Sequence, residues 1–217
     1  MSLKYKTRPA KSGTATSLVV FLHGYGADGD DLLGLAEPLA QHLPDTVFAA
    51  PNAPEVCRMN PMGFQWFPIP WIDGSTPIES GISLEKSRDV LNSFLDEVAK
   101  ETGIAAAKTV LVGFSQGTMM SLDIGPMRKD SLAGIVGFSG RLIEEDRLMH
   151  AITKPPIQLI HGDQDEMVAY RSMADAETAL SSNGFSVETH TSNGTGHGIA
   201  PDGLGVALQK LTQWLAA

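Results

Sequence analysis

Gly113-Phe114-Ser115-Gln116-Gly117 has the G-x-S-x-G spacing of a serine carried on a sharp strand-to-helix turn. The apolar run Thr109-Val110-Leu111-Val112 precedes it and a helix-like segment opens at Thr118, so strand, turn and helix stand in the order that pattern needs. Such a turn pushes the hydroxyl above a sheet through a strained backbone, and close packing there leaves no room for Cβ atoms at the two flanking positions. The chemistry this serves is acyl transfer, in which the hydroxyl attacks a carbonyl carbon while a base takes its proton and a carboxylate holds the base. The plainer alternative is a glycine-rich turn whose serine caps the helix. What separates the two is whether an acid and then a histidine follow further along the chain.

Both follow. His161-Gly162-Asp163-Gln164-Asp165 comes directly after the apolar run Ile157 to Ile160, and Asn193-Gly194-Thr195-Gly196-His197-Gly198 is a glycine-rich loop after the alternating stretch Phe185 to Thr191. Open parallel sheets place their sites at such C-terminal strand ends. His197 is the candidate base, because glycines on both sides let its ring reach across a loop. Asp163 and Asp165 both qualify as the acid, although Asp163 could instead bond the backbone amides of its own turn. His42 and His150 read as surface residues, His161 and His190 as structural ones. The oxyanion formed on attack needs two preorganised donors. One is the backbone N–H of Gln116, and the other should come from the loop after the strand ending at His23, where the backbone N–H of Tyr25 is the expected donor. No metal site is expected, since neither an H-E-x-x-H nor a paired-cysteine pattern occurs. No Walker G-x-x-x-x-G-K-[ST] occurs, and no Rossmann G-x-G-x-x-G stands where a nucleotide would require it, so the expected mechanism uses no cofactor.

These residues must be positioned by a scaffold, and apolar strand-like runs alternate with helical spacing along the whole chain, without repeat or linker. That alternation predicts a single α/β domain over residues 1–217, with a mostly parallel central sheet flanked by helices. Ser17 to Leu22 reads as a buried strand, Asp28 to Leu43 as a helix kinked or split by Pro38, and Thr46 to Ala50 as a short strand. Ser80 to Glu101 reads as a helix with Leu84, Arg88, Leu91, Leu95 and Val98 on one stripe, and Leu204, Leu208, Leu211 and Leu215 stripe a closing helix. Residues 1–16 form a polar N-terminal segment with no assigned element. Between 51 and 79 prolines crowd around Trp66, Phe67 and Trp71, and no regular element fits. A loop of that length in a compact domain is usually functional or disordered, and its aromatic content argues for function. It must cross the sheet's C-terminal edge, so Trp66, Phe67 and Trp71 are expected to wall the cleft over Ser115 and bind substrate, the plainer alternative being a satellite core that holds the loop down.

A formal net charge of -9 and a pI near 5.0 argue against nucleic acid or an anionic membrane surface as partner. No stretch reaches the roughly 18 apolar residues of a membrane span, so stable membrane insertion is not expected. Met1 to Lys11 lacks the apolar h-region of a secretory leader, and the single cysteine, Cys57, excludes an internal disulfide. The expected location is cytoplasmic. The sequence leaves a homodimer open.

Phe21-Leu22-His23-Gly24-Tyr25-Gly26, Gly113-Phe114-Ser115-Gln116-Gly117, His161-Gly162-Asp163-Gln164-Asp165 and Gly196-His197-Gly198-Ile199, taken in that order and spacing, resemble the phospholipase/carboxylesterase family of α/β-hydrolases. That family includes the acyl-protein thioesterases, and the resemblance spans roughly residues 17 to 216. It implies Ser115 as nucleophile, Asp165 rather than Asp163 as the acid, His197 as base, and oxyanion N–H groups from Tyr25 and Gln116. It also implies a small-molecule or lipid ester as substrate. Gln65-Trp66-Phe67 looks like the family's segment beside the acyl pocket. Where many members carry leucine after the His-Gly pair this chain has Tyr25, and its 63–71 stretch is more proline-rich than in the eukaryotic thioesterases. These departures favour a carboxylesterase acting on short- to medium-chain esters. An acyl-protein thioesterase or lysophospholipase is the alternative within the family, and a non-catalytic ligand-binding protein on a hydrolase scaffold is the alternative outside it.

Overall fold

The computed structural model describes residues 3–216, and strand and helix alternate through most of them. From the N-terminal side come β1 (Tyr5–Arg8), β2 (Ser17–Leu22), α1 (Gly29–Leu33), α2 (Ala36–Ala40) and β3 (Thr46–Pro51). A small hairpin of β4 (Glu55–Val56) and β5 (Phe64–Gln65), the one-turn α3 (Pro70–Asp73) and the long α4 (Pro77–Thr102) follow. The second half holds β6 (Thr109–Phe114), α5 (Gln116–Ile124), β7 (Gly134–Phe138), β8 (Ile157–Gly162), α6 (Arg171–Ser182), β9 (Val187–Ser192) and α7 (Pro201–Ala216).

Seven strands make one sheet in the order β1-β3-β2-β6-β7-β8-β9, parallel throughout except for β1, which pairs antiparallel with β3. This is the mostly parallel sheet that the alternation predicted. Helices cover both faces, which is why β2 can be buried at every residue. Side chains alternate across a strand, so Leu18, Val20 and Leu22 pack in one core with α4, α5 and α6, while Val19 and Phe21 pack in the other with α1, α2 and α7. Arg88 sits on the buried stripe of α4 and forks onto Asp123 of α5, with Nε and one terminal nitrogen each 2.7 Å from a carboxylate oxygen. That paired charge seats α4 against the helix that follows Ser115.

Four expectations need correction. The expected Asp28–Leu43 helix is split, but the break falls at Gly34 and Leu35, and Pro38 lies in the first turn of α2, where its missing N–H costs no helical bond. Within the N-terminal segment, where the sequence assigns no element, Tyr5–Arg8 form β1 and close one sheet edge. The 51–79 segment contains a hairpin and a turn of helix. Finally, α4 starts at Pro77, ahead of Ser80, since Thr76 and Glu79 form a reciprocal capping box and Pro77 takes the first helical position. Among the described residues no helix is long and apolar enough to cross a membrane.

Candidate active site

The central strand β6 delivers the chain to Ser115, whose φ of 53° and ψ of -115° lie outside the regions a serine ordinarily adopts. The surroundings over-determine that conformation. A Cβ at Gly117 would stand 1.8 Å from the Leu22 carbonyl oxygen, and one at Gly113 would stand 2.4 Å from the Thr118 nitrogen. The Ser115 N–H donates to the Phe138 carbonyl at 2.8 Å, so the elbow is wedged between the ends of β2 and β7. Helix α5 begins at Gln116, leaving its first N–H groups without helical partners and its positive end beside Ser115.

Two other strand ends bring up the acid and the histidine. His197 Nδ1 lies 2.8 Å from Asp165 Oδ2, and the Asp165 side chain has no exposed surface. The other carboxylate oxygen, Oδ1, accepts the Met167 and Val168 N–H groups, both at 2.9 Å. Burial alone would raise the Asp165 pKa, but the Val168 amide, His197 and the Met167 amide outweigh it and hold the group below its usual value, so it stays a carboxylate. His161 is structural, as expected: Nε2 lies 2.9 Å from the Val168 carbonyl, which can only accept, so that nitrogen carries the proton, and it stands 3.2 Å from Asp165 Oδ2. Asp163 does not approach His197. Its carboxylate accepts the Gly194 N–H at 2.7 Å, tying the end of β8 to the next loop across the sheet edge, not to its own turn. The approach of those two segments needs Gly162, whose Cβ would fall 2.2 Å from the Thr195 carbonyl oxygen. His190 is held elsewhere, 2.8 Å from Asp202.

Ser115, His197, Tyr25 and Gln116 all line one cavity of about 750 Å³, and Asp165 stands behind His197. No hydrogen bond joins Ser115 to the imidazole, a contact that such sites commonly close only around substrate. Among the described residues the Tyr25 N–H has no acceptor, as the expected oxyanion role requires. The Tyr25 ring is pinned: its hydroxyl donates to Asp73 at 2.7 Å, and burial first and that bond second push its pKa up. Asp73 also accepts the Ile69 and Ser75 amides; burial opposes its ionisation, but the Ser75 side chain, the Tyr25 hydroxyl and these amides together hold its pKa at about 2. The buried His23 ring accepts the Ala53 N–H on Nε2 and donates from Nδ1 to the Gly24 carbonyl; burial lowers its pKa and keeps it neutral.

The aromatic loop divides. Trp71 lines the cavity and is 71% exposed, whereas Trp66 and Phe67 lie in the core and not in the cavity wall. The expectation that all three wall the cleft is corrected for these two by the polar groups around them. The Trp66 indole donates to the His23 carbonyl at 3.0 Å, its backbone N–H donates to the Gln116 side chain at 2.8 Å, and that side chain returns a bond to the Phe67 carbonyl at 2.7 Å. Trp66 and Phe67 therefore brace the two segments that carry Tyr25 and Gln116. The apolar wall comes instead from residues sequence reasoning passed over, chiefly Ile69, Ile72, Met119, Met167 and Val168, together with the cation Arg141. Arg141 had a usable signal, because it stands just past the C-terminal end of β7 as Ser115 does past β6.

The chain matches the phospholipase/carboxylesterase family over residues 7–215. The solved structure of esterase PE8 is 41% identical, superposes with a TM-score of 0.94, and covers 99% of this chain and 100% of its own. Acyl-protein thioesterase 1 of Neurospora crassa is 32% identical over 92% of this chain and 87% of its own length. Esterase YpfH of Escherichia coli is 27% identical over 91% and 82%. With that match spanning nearly the whole chain, around a strand-borne serine and a carboxylate-held histidine on one cavity, the protein belongs to the phospholipase/carboxylesterase family of α/β-hydrolases and is an enzyme that hydrolyses ester bonds.

Proposed function

We propose that the protein is a serine carboxylesterase working through an acyl-enzyme at Ser115. The observation that carries this reading is the Asp165–His197 bond facing the cavity into which the Ser115 elbow projects. With Nδ1–H committed to the carboxylate, His197 Nε2 is the free acceptor for the Ser115 proton. Serine Oγ attacks the ester carbonyl, the negative charge moves onto the oxygen, and the Tyr25 and Gln116 N–H groups receive it. His197 then hands its proton to the departing alcohol, and a water molecule deprotonated by the same imidazole releases the acid. Asp165 remains ionised and stabilises the imidazolium.

A fluorophosphonate should label the wild type and not Ser115→Ala; absence of labelling together with absence of ester turnover would leave only a ligand-binding protein on a hydrolase scaffold. Asp165→Asn should lower kcat by about 10⁴, whereas Asp163→Asn should act mainly on stability. The reverse pattern would move the acid to Asp163. For the acyl group, a cavity walled by Ile69, Trp71 and Ile72 supports short to medium chains. The acyl-protein thioesterase named in Neurospora crassa supports a second reading, an acyl-protein thioesterase or lysophospholipase. Measuring kcat/KM over para-nitrophenyl esters of rising length, beside a palmitoyl thioester, separates them, with a palmitoyl optimum favouring the second.

A further inference from the structure

Six of the seven arginines, Arg8, Arg58, Arg88, Arg128, Arg147 and Arg171, lie within ion-pair distance of a carboxylate. In a chain with 25 Asp and Glu residues against 16 Lys and Arg, that is the expected state of an arginine. Arg141 is the exception. Among the described residues it has no hydrogen bond or ion pair, and its one recorded contact is the Trp71 ring, with the guanidinium carbon 5.5 Å from the ring centroid. Glu144, the nearest acid along the chain, is taken by Arg88 at 2.8 Å.

The unpaired cation lines the cavity that holds Ser115. Its backbone is set by the elbow itself, since a Cβ on the preceding Gly140 would lie 2.4 Å from Thr118 and 3.1 Å from the Ser115 carbonyl oxygen. The other charged groups on the cavity wall are Asp28, Asp31 and, when protonated, His197. The two aspartates follow β2 and Arg141 follows β7, and these strands flank β6 on opposite sides. The cleft is thus acidic on one side of the nucleophile and cationic on the other. An anionic substituent on the ester is repelled from the first and has one place to go. The Trp71 ring restrains the guanidinium without neutralising it, and its N–H donors have no hydrogen-bond partner among the described residues.

We propose that Arg141 is a specificity-determining residue that binds a carboxylate on the substrate, so that the preferred esters carry a second, free carboxylate. The proposal rests on the serine-esterase reading above. The carboxylate can belong to the acyl part, as in a half-ester of a dicarboxylic acid, or to the alcohol part, as in an acylated hydroxy acid. Hydrolysis in either case adds one water across the ester bond and gives an acid and an alcohol, with the anchored carboxylate unchanged.

The test compares each acid with its carboxamide, which is uncharged and nearly isosteric. For the acyl side the pair is monomethyl adipate and methyl adipamate; for the alcohol side it is acetoxyacetate and acetoxyacetamide. The quantity read is the ratio of kcat/KM for the carboxylate to that for the carboxamide, in which general effects of a variant on folding or acyl transfer cancel. In the wild type this ratio should exceed one in at least one pair and fall with added salt. Arg141→Gln should lower it about tenfold or more, as expected on removing a charge-assisted bond, and Arg141→Lys should recover part of it. The pair that responds identifies the side carrying the anion. Ratios equal in wild type and Arg141→Gln for both pairs would overturn the proposal while leaving esterase turnover of the carboxamides intact. Carboxamide turnover unaffected by Ser115→Ala would instead sink the underlying serine mechanism.

Discussion

Trp66 and Trp71 stand in the same proline-rich segment, yet one is fully buried and the other is 71% exposed. The inner half of the segment is fastened by main-chain and indole hydrogen bonds to His23 and Gln116, whereas the Trp71 ring is exposed on the cavity wall beneath Arg141. The difference teaches that burial here follows the polar groups needing partners more than the size of the aromatic surface. A stretch of backbone laid across the sheet edge must satisfy its N–H and C=O groups, and the residue beside those bonds becomes core. The residue beyond them keeps its ring exposed on the cavity wall.

The sharpest way to break that contrast is Trp66→Ala. Removing a fully buried indole leaves a large cavity and strands the His23 carbonyl, so urea unfolding should show a loss of about 3–5 kcal/mol. A loss below about 1 kcal/mol would place Trp66 in the same class as Trp71. Next in size is Gln116→Ala. It keeps the Gln116 N–H but deprives the buried Trp66 N–H and Phe67 carbonyl of their partners, at about 1–3 kcal/mol each before relaxation. Activity should fall as well, more in kcat than in KM, because the segments carrying the two proposed oxyanion donors lose their brace. Wild-type stability with lowered activity would mean the bracket serves geometry alone.

Asp73 marks the border between the halves, holding the Tyr25 hydroxyl and the Ile69 and Ser75 amides. Asp73→Asn should cost about 1 kcal/mol near neutral pH, the lower range being apt for a partly exposed carboxylate. The folded pKa of about 2 lies below the ordinary 3.8, so the folded state binds this proton less readily than the unfolded one. Its stabilisation is therefore complete above about pH 4 and is lost as pH falls through 2. The gap in unfolding free energy between wild type and variant should stay level from neutral pH to about 4 and then narrow. A gap that widens on acidification would show that Asp73 is not held as an anion.

Much of this architecture was legible because a sheet covered on both faces demands continuous apolar strands, and Ser17–Leu22 and Ile157–Ile160 carry them. Strand β1 was not, since Tyr5–Arg8 lies at a sheet edge, is exposed at Lys6, Thr7 and Arg8, and shows no apolar run. The elbow was visible through its glycines, and His197 through its loop. The choice of Asp165 over Asp163 was not visible in spacing, because both follow one strand and only the crossing loop decides which meets the histidine and which meets Gly194. The same holds for Trp66 against Trp71: composition marks the segment as aromatic but does not say where its backbone bonds go.

The smallest stability effect is expected at Trp71, and it is the most telling for function. Trp71→Ala removes a ring that is mostly in solvent, so unfolding free energy should change by no more than about 0.5 kcal/mol. If the ring is an apolar wall, its loss should weaken each ester in proportion to the methylenes it covers, with about 0.8 kcal/mol as the ceiling per buried methylene. The ratio of kcat/KM between wild type and variant should then climb along an alkyl ester series and level off once the chain passes the ring. A ratio constant with chain length would mean that Trp71 acts only by restraining Arg141. In that case neutral esters of every length should respond alike, and the carboxylate–carboxamide ratio alone should fall.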